Sequence, residues 1–248
     1  MVSLISADHK RYVAQRLETP TDVNAARRLI ANVYQEKGWA GPIDLTDEGT
    51  LSSSYDIWHP LAVYFGVKDL WNPSGDLVVS GRILEPGDLG ASVLQTYAAC
   101  HLDASLRAEL EEAEVGTVAE VSGLAKSLGV NPTATLHLYR EMGAYGLEVG
   151  HRHWIMAADV SLSRRLTRLL GDAIEVAGEP TYFRGGTVVP MHIRIPDDFA
   201  RLVGPAVTER RPAPPSRVEL AEFMLERIPP ECLGRYGLAP SPRDEGRR

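Results

Sequence analysis

The chain has 248 residues, 44% of them hydrophobic and 24% charged, ordinary values for a globular protein. A chain this long buries a sizeable core without disulfides or metals, so global disorder, collagen-like repeats and a disulfide scaffold are excluded. The formal charge of −7 argues against nucleic-acid binding as the main role, because neutralising phosphates needs clustered positive charge. Cys100 and Cys232 match no metal or redox spacing and read as reduced thiols. The N-terminal stretch lacks the apolar core of a signal peptide, and no apolar run approaches the ~18 residues of a membrane span. The expectation is a soluble, cytoplasmic protein with no membrane span.

In chain order, strands and helices alternate. A short strand is predicted over 12–17, then a helix over 22–37 capped by Thr21 or Asp22, with Val23, Ala26, Leu29, Ile30 and Val33 on one face. Residues 40–54, rich in Gly, Thr, Ser and Asp, read as a long loop of the kind that is often functional or mobile. A hairpin follows: strands over 61–67 and 77–84 flank the turn residues Asn72 to Asp76. Residues 92–113 read as helix broken near 101–105, 117–125 as a strand, and 133–149 as a helix closed by Gly150. A buried strand over 153–160, a short helix capped by Ser161, and strands over 173–183 and 187–195 complete the pattern.

After Arg201 the composition changes. The predicted division is one α/β domain over 1–203, a Pro-rich linker over 204–215, and a C-terminal helix with a disordered tail over 216–248. The helix is signalled by the capping box Ser216-Arg-Val-Glu219 and by Val218, Ala221, Leu225 and Ile228 at helical spacing.

This order of elements resembles the GNAT acyltransferase fold, a mixed α/β (α+β) sheet flanked by helices. Three stretches are similar to the long-chain N-acyl amino acid synthases and their relatives, the acyl-homoserine-lactone synthases. They are Val33 to Trp39 with Tyr55-Asp56, Val79-Ser-Gly-Arg-Ile-Leu84, and Thr117-Val-Ala-Glu-Val-Ser-Gly-Leu-Ala125. The segment from Asp159 to Gly171, Tyr182 and the step from Gly186 to Pro190 resemble the C-terminal half of the synthase group. The likeness covers about residues 10–200. The chain also departs from the autoinducer pattern, with Gly123 and Ile30 where that group has Arg, and Ser53 where it has an acidic residue. These departures point to a different amine acceptor.

The resemblance implies direct acyl transfer from a thioester to an amine, with no tightly bound cofactor. The acceptor must lose a proton, so a base is needed. Glu120, set among Val118, Ala119, Val121 and Leu124, is the candidate, since desolvation would raise its pKa. The alternative is a Glu120 that points outward to pair with an Arg. Ser122 would line the thioester carbonyl with Glu120, and Val121, Gly123, Leu124, Ala125 and Lys126 would bind the donor. Gly123 either forms a bulge or simply makes packing space.

Lys126-Ser-Leu-Gly-Val-Asn131 is a degraded version of the GNAT diphosphate loop, and Pro132 removes one donor N–H. That fits an acyl carrier protein as donor partner without excluding acyl-CoA. Arg164, Arg165 and Arg168, with Arg152 and Arg184 nearby in sequence, form a candidate carrier-protein patch or else a solvated helix face. Thr167 stands where the family has a leaving-group tyrosine, for which Tyr139, Tyr145 or Tyr182 would have to substitute.

Trp39, Tyr55, Asp56 and Arg82, with the 40–54 loop, are acceptor candidates; Trp39 could equally be core and Arg82 a structural ion-pair member. His151-x-His153 lacks a completing ligand set, so no metal site is expected. Two alternatives remain: an acyl-homoserine-lactone-type synthase using S-adenosylmethionine, and a non-catalytic GNAT-fold binding protein.

Overall fold

The computed structural model describes residues 10–195, 198, 220, 222–228 and 232. Among the described residues ten strands run in chain order: β1 (Tyr12–Arg16), β2 (Ala62–Asp69), β3 (Leu77–Leu84), β4 (His101–Leu102), β5 (Val118–Lys126), β6 (His153–Asp159), β7 (Glu175–Val176), β8 (Gly178–Glu179), β9 (Thr181–Phe183) and β10 (Gly186–Arg194). The helices are α1 (Pro20–Glu36), α2 (Gln95–Ala99), α3 (Ala104–Glu112), α4 (Thr133–Val149) and α5 (Val160–Leu170). The main sheet has the order β1-β2-β3-β5-β6-β10-β7, with β9 paired to β10, while β4 and β8 form a separate ribbon. Every pairing in the main sheet is antiparallel except β5 with β6.

Both faces of this sheet are covered, which is why β3 is buried along its whole length. Helices α4 and α5 pack with Phe65, Ile83, Val121, Trp154 and Met191 on one face. Helix α1 packs on the other through Ala26, Ile30 and Ala31. Helices α2 and α3 extend that second face, burying Tyr97, Leu106 and Leu110 around Leu84 and Ile155.

The predicted elements fall close to the observed ones, with instructive shifts at the caps. Helix α1 starts earlier than its apolar periodicity suggests, because Thr19 is the N-cap and Pro20 opens the first turn. The Thr19 hydroxyl oxygen accepts from the Asp22 N–H at 3.1 Å. Asp159, not Ser161, caps α5, accepting from the N–H groups of Ser161 and Leu162. The strand expected over 173–183 is three short pieces, because Gly178 lies against the His101 carbonyl and pairs off into the β4–β8 ribbon. Gly150 closes α4 in the left-handed conformation, as expected.

The 40–54 loop is pinned by a Leu45–Leu51 bridge and by buried Thr50, whose hydroxyl meets that of Thr46. The expected linker and tail lie outside the described residues. The described C-terminal residues Leu220, Phe223, Met224, Ile228 and Cys232 are buried in the same cluster as α4 and β10.

Two irregularities shape the centre of the sheet. Opposite β3, the register of β5 shifts between Ser80 and Arg82, so that Gly123 and Leu124 share the place facing Gly81. Gly123 takes φ +60 there, a left-handed conformation that Gly adopts without steric penalty, which settles its role as a bulge. Toward β6, the parallel ladder joins Val118, Ala119 and Glu120 to His153, Trp154 and Ile155 and then stops. Beyond Glu120 the two strands splay apart.

Gly123→Ala is therefore expected to destabilise the protein by about 1–3 kcal/mol, because the added Cβ must hold a positive φ. It would also stand 2.9 Å from Ile30 Cδ1. Urea unfolding of the two proteins checks this.

Candidate functional site

The splay opens a cleft of about 480 Å³ lined by Glu120, Val121, Ser122, Gly123 and Leu124 of β5. The facing wall is Met156, Ala157, Ala158 and Asp159 with Leu162, and Tyr34, Trp39 and Gln95 complete it. The pleat puts Glu120 and Ser122 on one face of β5 and Val121 on the other. Val121, Leu124 and Met156 also line a second, almost wholly apolar hollow of about 680 Å³ beneath α4 and α5. The cleft and the hollow thus meet at these three side chains, which form a common wall.

Glu120 is only 1% exposed. Its Oε2 accepts from the Thr96 N–H at 2.8 Å, in the first turn of α2. Burial pushes its carboxyl up to about 7, against the opposing pull of the Thr96 hydrogen bonds and the Arg82 charge. It has no arginine partner among the described residues, so the outward-facing alternative is set aside. Cys100 is buried as well, and desolvation and the Glu120 charge push its thiol up to about 11, which keeps it protonated.

Arg82 lies behind Gly123 and is 2% exposed. Its Nη1 donates to Asp56 Oδ2 at 2.5 Å and to the Tyr64 hydroxyl at 3.3 Å, and that hydroxyl also meets His59 Nδ1 at 3.0 Å. Burial disfavours the charge, but the attraction and hydrogen bond of Asp56 outweigh it and hold the guanidinium protonated. Arg82 and Asp56 are thus an internal ion pair. Arg82 Nε and Asp56 Oδ1 have no hydrogen-bond partner among the described residues.

The other acceptor candidates converge beside the cleft. Trp39 packs edge-on against Tyr34 with ring centroids 5.3 Å apart, and Gly186 leaves room for its indole. The Tyr55 hydroxyl donates to the Trp39 carbonyl at 2.6 Å. Arg184 is set apart from the arginine patch with which its sequence position groups it. It opens the two-residue turn between β9 and β10 with φ +48, followed by Gly185 at φ +82, the positive-φ pair that tight hairpins need. Its guanidinium lies 3.9 Å from the Tyr55 ring centroid and donates to the Tyr55 carbonyl. Arg184 thereby fastens the Tyr55 loop to the far hairpin.

Arg164, Arg165 and Arg168 are exposed on α5, whose opposite side supplies Leu162 to the cleft and Leu166 and Leu170 to the hollow. Arg165 bonds within the helix to Ser161, and Lys126 turns back to the Val130 carbonyl at 2.8 Å. Ala125 is buried against α1, away from the cleft lining. Tyr145 donates to Glu85 at 2.9 Å, Tyr182 is 75% exposed, and Tyr139 borders the apolar hollow. His151 and His153 go to separate partners, Glu85 and His192. Sequence reasoning missed Tyr34, Gln95, Thr96 and Asp159 as site neighbours. Tyr34 and Asp159 lie within family-like stretches that did not single them out, and Gln95 and Thr96 carry no motif; the end of α1, α2 and the start of α5 bring the four together.

Comparison with solved structures places this architecture. FeeM, an N-acyl amino acid synthase from uncultured soil microbes, superposes with a TM-score of 0.59 at 19% identity, over 86% of this chain and 98% of that one. BjaI, a CoA-dependent acyl-homoserine lactone synthase solved with MTA, gives 0.56 at 13% identity over 92% and 100%. The acyl-homoserine lactone synthase LasI gives 0.54 at 17% over 74% and 90%. No protein-family model matches the chain, and no curated protein matches it by sequence. The chain shares the fold of these three synthases. Among the described residues no helix is long and apolar enough to cross a membrane.

The elevated Glu120 carboxyl has a consequence for stability. A carboxyl whose folded pKa is raised from 4.5 to about 7 favours folding below the lower value. That contribution is lost as pH rises through the higher value. Between these limits, wild-type stability is expected to fall with pH by up to about 1.4 kcal/mol per unit relative to Glu120→Gln. Urea unfolding of both proteins across that window checks it.

Proposed function

We propose that the protein is an N-acyltransferase that moves an acyl group, of fatty-acyl type, from a thioester to the amine of an amino acid or peptide-like acceptor. The observation that carries this reading is a buried carboxyl with a pKa of about 7 at the point where two parallel strands separate, with an apolar hollow on the other side of Val121, Leu124 and Met156. The similarity to FeeM, BjaI and LasI supports it.

In this reading the thioester enters the splay. Its acyl tail passes between Val121, Leu124 and Met156 into the hollow. The carrier arm lies along β5 from Gly123 toward Lys126. An attacking amine must be neutral, and Glu120 at about 7 is a base matched to neutral pH. Glu120 removes the ammonium proton, directly or through one water. The nitrogen then adds to the thioester carbonyl, and the C–S bond breaks as the carbonyl re-forms. Backbone N–H groups on the unzipped edge of β5, with the Ser122 hydroxyl, serve the developing oxyanion. The thiolate leaves readily because a thiol pKa of about 8.5 makes it a good leaving group, so no dedicated tyrosine is required. The thiolate takes the second proton, which the nitrogen sheds as the amide forms, and the first proton, held by Glu120, passes to water as the products leave.

Arg82 acts on the acceptor side by position and charge, since its Nη1 is taken by Asp56. Trp39, Tyr55 and Tyr34 form the aromatic wall against which the acceptor lies.

The donor is an acyl carrier protein. The degraded diphosphate loop offers CoA little, while Arg164, Arg165 and Arg168 give an acidic carrier an exposed basic face beside the cleft.

Incubating the protein with acyl-carrier and acyl-CoA donors and a panel of amino acids, with mass spectrometry of the products, tests the reading. N-acyl amides are expected. Glu120→Gln is expected to lower kcat/KM by about 10²–10⁴-fold, and the rise of activity with pH through about 7 is expected to disappear. Near-full turnover by Glu120→Gln would remove it as the base. Reversing Arg164 and Arg168 to Glu is expected to weaken turnover of carrier-bound donor by about tenfold or more while sparing acyl-CoA. Equal losses would count against the patch.

A further inference from the structure

The apolar hollow is not walled by the sheet and its helices alone. Ile195, Asp198 and Met224 line it, and all three follow or lie beyond the last strand of the sheet. None of them borders the cleft, whereas Val121, Leu124 and Met156 border both. The C-terminal residues therefore belong to the part of the hollow's wall that the cleft does not share.

Their position is held by specific contacts to α4. Arg140 reaches Glu226 at 3.3 Å, and Arg227 reaches Glu141 at 2.9 Å. The Phe223 ring sits edge-on to His137, centroids 4.9 Å apart, beneath the Arg140 guanidinium at 4.0 Å. Residues 222–225 are helical, and Leu220, Phe223 and Ile228 point into the core. Among the described residues of this segment Met224 faces the hollow. Asp198, which also lines the hollow, is 3% exposed, and its Oδ2 accepts from the Arg194 N–H at 2.7 Å. A hydrocarbon chain that reached this wall would meet a movable thioether and a buried polar group it cannot solvate.

We infer that the C-terminal segment, through Met224, is the end wall of the acyl site and sets the length of acyl chain the protein accepts. The inference rests on the acyltransferase reading for the identity of the ligand, but not for the shape of the hollow. It makes the C-terminal segment part of substrate selection. The sequence pattern had marked it only as a helical appendage.

The test is a length profile in two independent readouts. Wild type, Met224→Ala, Met224→Trp and Glu18→Gln are compared, the last changing the exposed Arg16–Glu18 ion pair, which lies outside both the hollow and the cleft. Turnover is measured with straight-chain donors, carrier-bound and as acyl-CoA, in two-carbon steps. Thermal stabilisation is measured with free straight-chain fatty acids in the same steps.

Met224→Ala is expected to move both optima to longer chains, with about a tenfold gain for the next longer donor relative to the wild-type optimum. Met224→Trp is expected to move both to shorter chains, and Glu18→Gln to leave the profile in place. Unchanged profiles in both Met224 variants, or a uniform loss at all lengths in folded protein, would overturn the end-wall role. Length-dependent fatty-acid stabilisation that shifts with Met224, without turnover of any donor, would uphold the wall and overturn the acyltransferase reading. No stabilisation at any length together with no turnover would overturn both.

Discussion

The pairing of β5 with β6 lasts for three residue pairs and ends at Glu120 and Ile155, and the rest of the site depends on that interruption. A continuous parallel ladder would close the gap and satisfy every backbone group along it. The strands separate instead, and each keeps its pairing on its other side: β5 with β3 through the Gly123 bulge, β6 with β10 along its length. The bulge lets β5 turn away, and only Gly takes the required φ without strain. The separation places a carboxyl at the apex of the wedge, where α2 and the sheet exclude water but one backbone N–H remains to hold it.

Charge inside this wedge is kept in balance by a second constraint. Arg82 pulls the Glu120 carboxyl down, but by less than desolvation raises it. Arg82 itself is paired, its Nη1 donating to Asp56 at 2.5 Å. Breaking a buried pair of this kind typically destabilises a protein by about 3–5 kcal/mol, because one charge is left uncompensated. The pair thus keeps a buried charge compensated inside the core beside the cleft. Arg184, stacked on Tyr55, fixes the loop that carries Asp56 and couples the hairpin of β9 and β10 to the same network.

Much of the fold was legible because its signals are local. The apolar run around Glu120, the turn residues between β2 and β3, and Gly150 after α4 each announce an element through short-range chemistry. The apolar neighbours of Glu120 also announced its desolvation. Legibility failed where the deciding partner is distant. Thr21 and Asp22 are chemically as good a cap as Thr19, and only the position of Pro20 at the first turn decides between them. Arg184 is one of many arginines in sequence, and its aromatic stack is made with residues some 130 positions away. Gln95 and Thr96 carry no motif, because their contribution is an N–H presented by a short helix. The role of Met224 required knowing that the C-terminal segment packs on α4.

The central claim is that a desolvated, near-neutral carboxyl sits at the apex of the splayed strands. NMR titration of the Glu120 side-chain carboxyl carbon in labelled protein, assigned with Glu120→Gln, measures it directly. The account expects a midpoint near 7. A midpoint near the ordinary value of about 4.5 would contradict it.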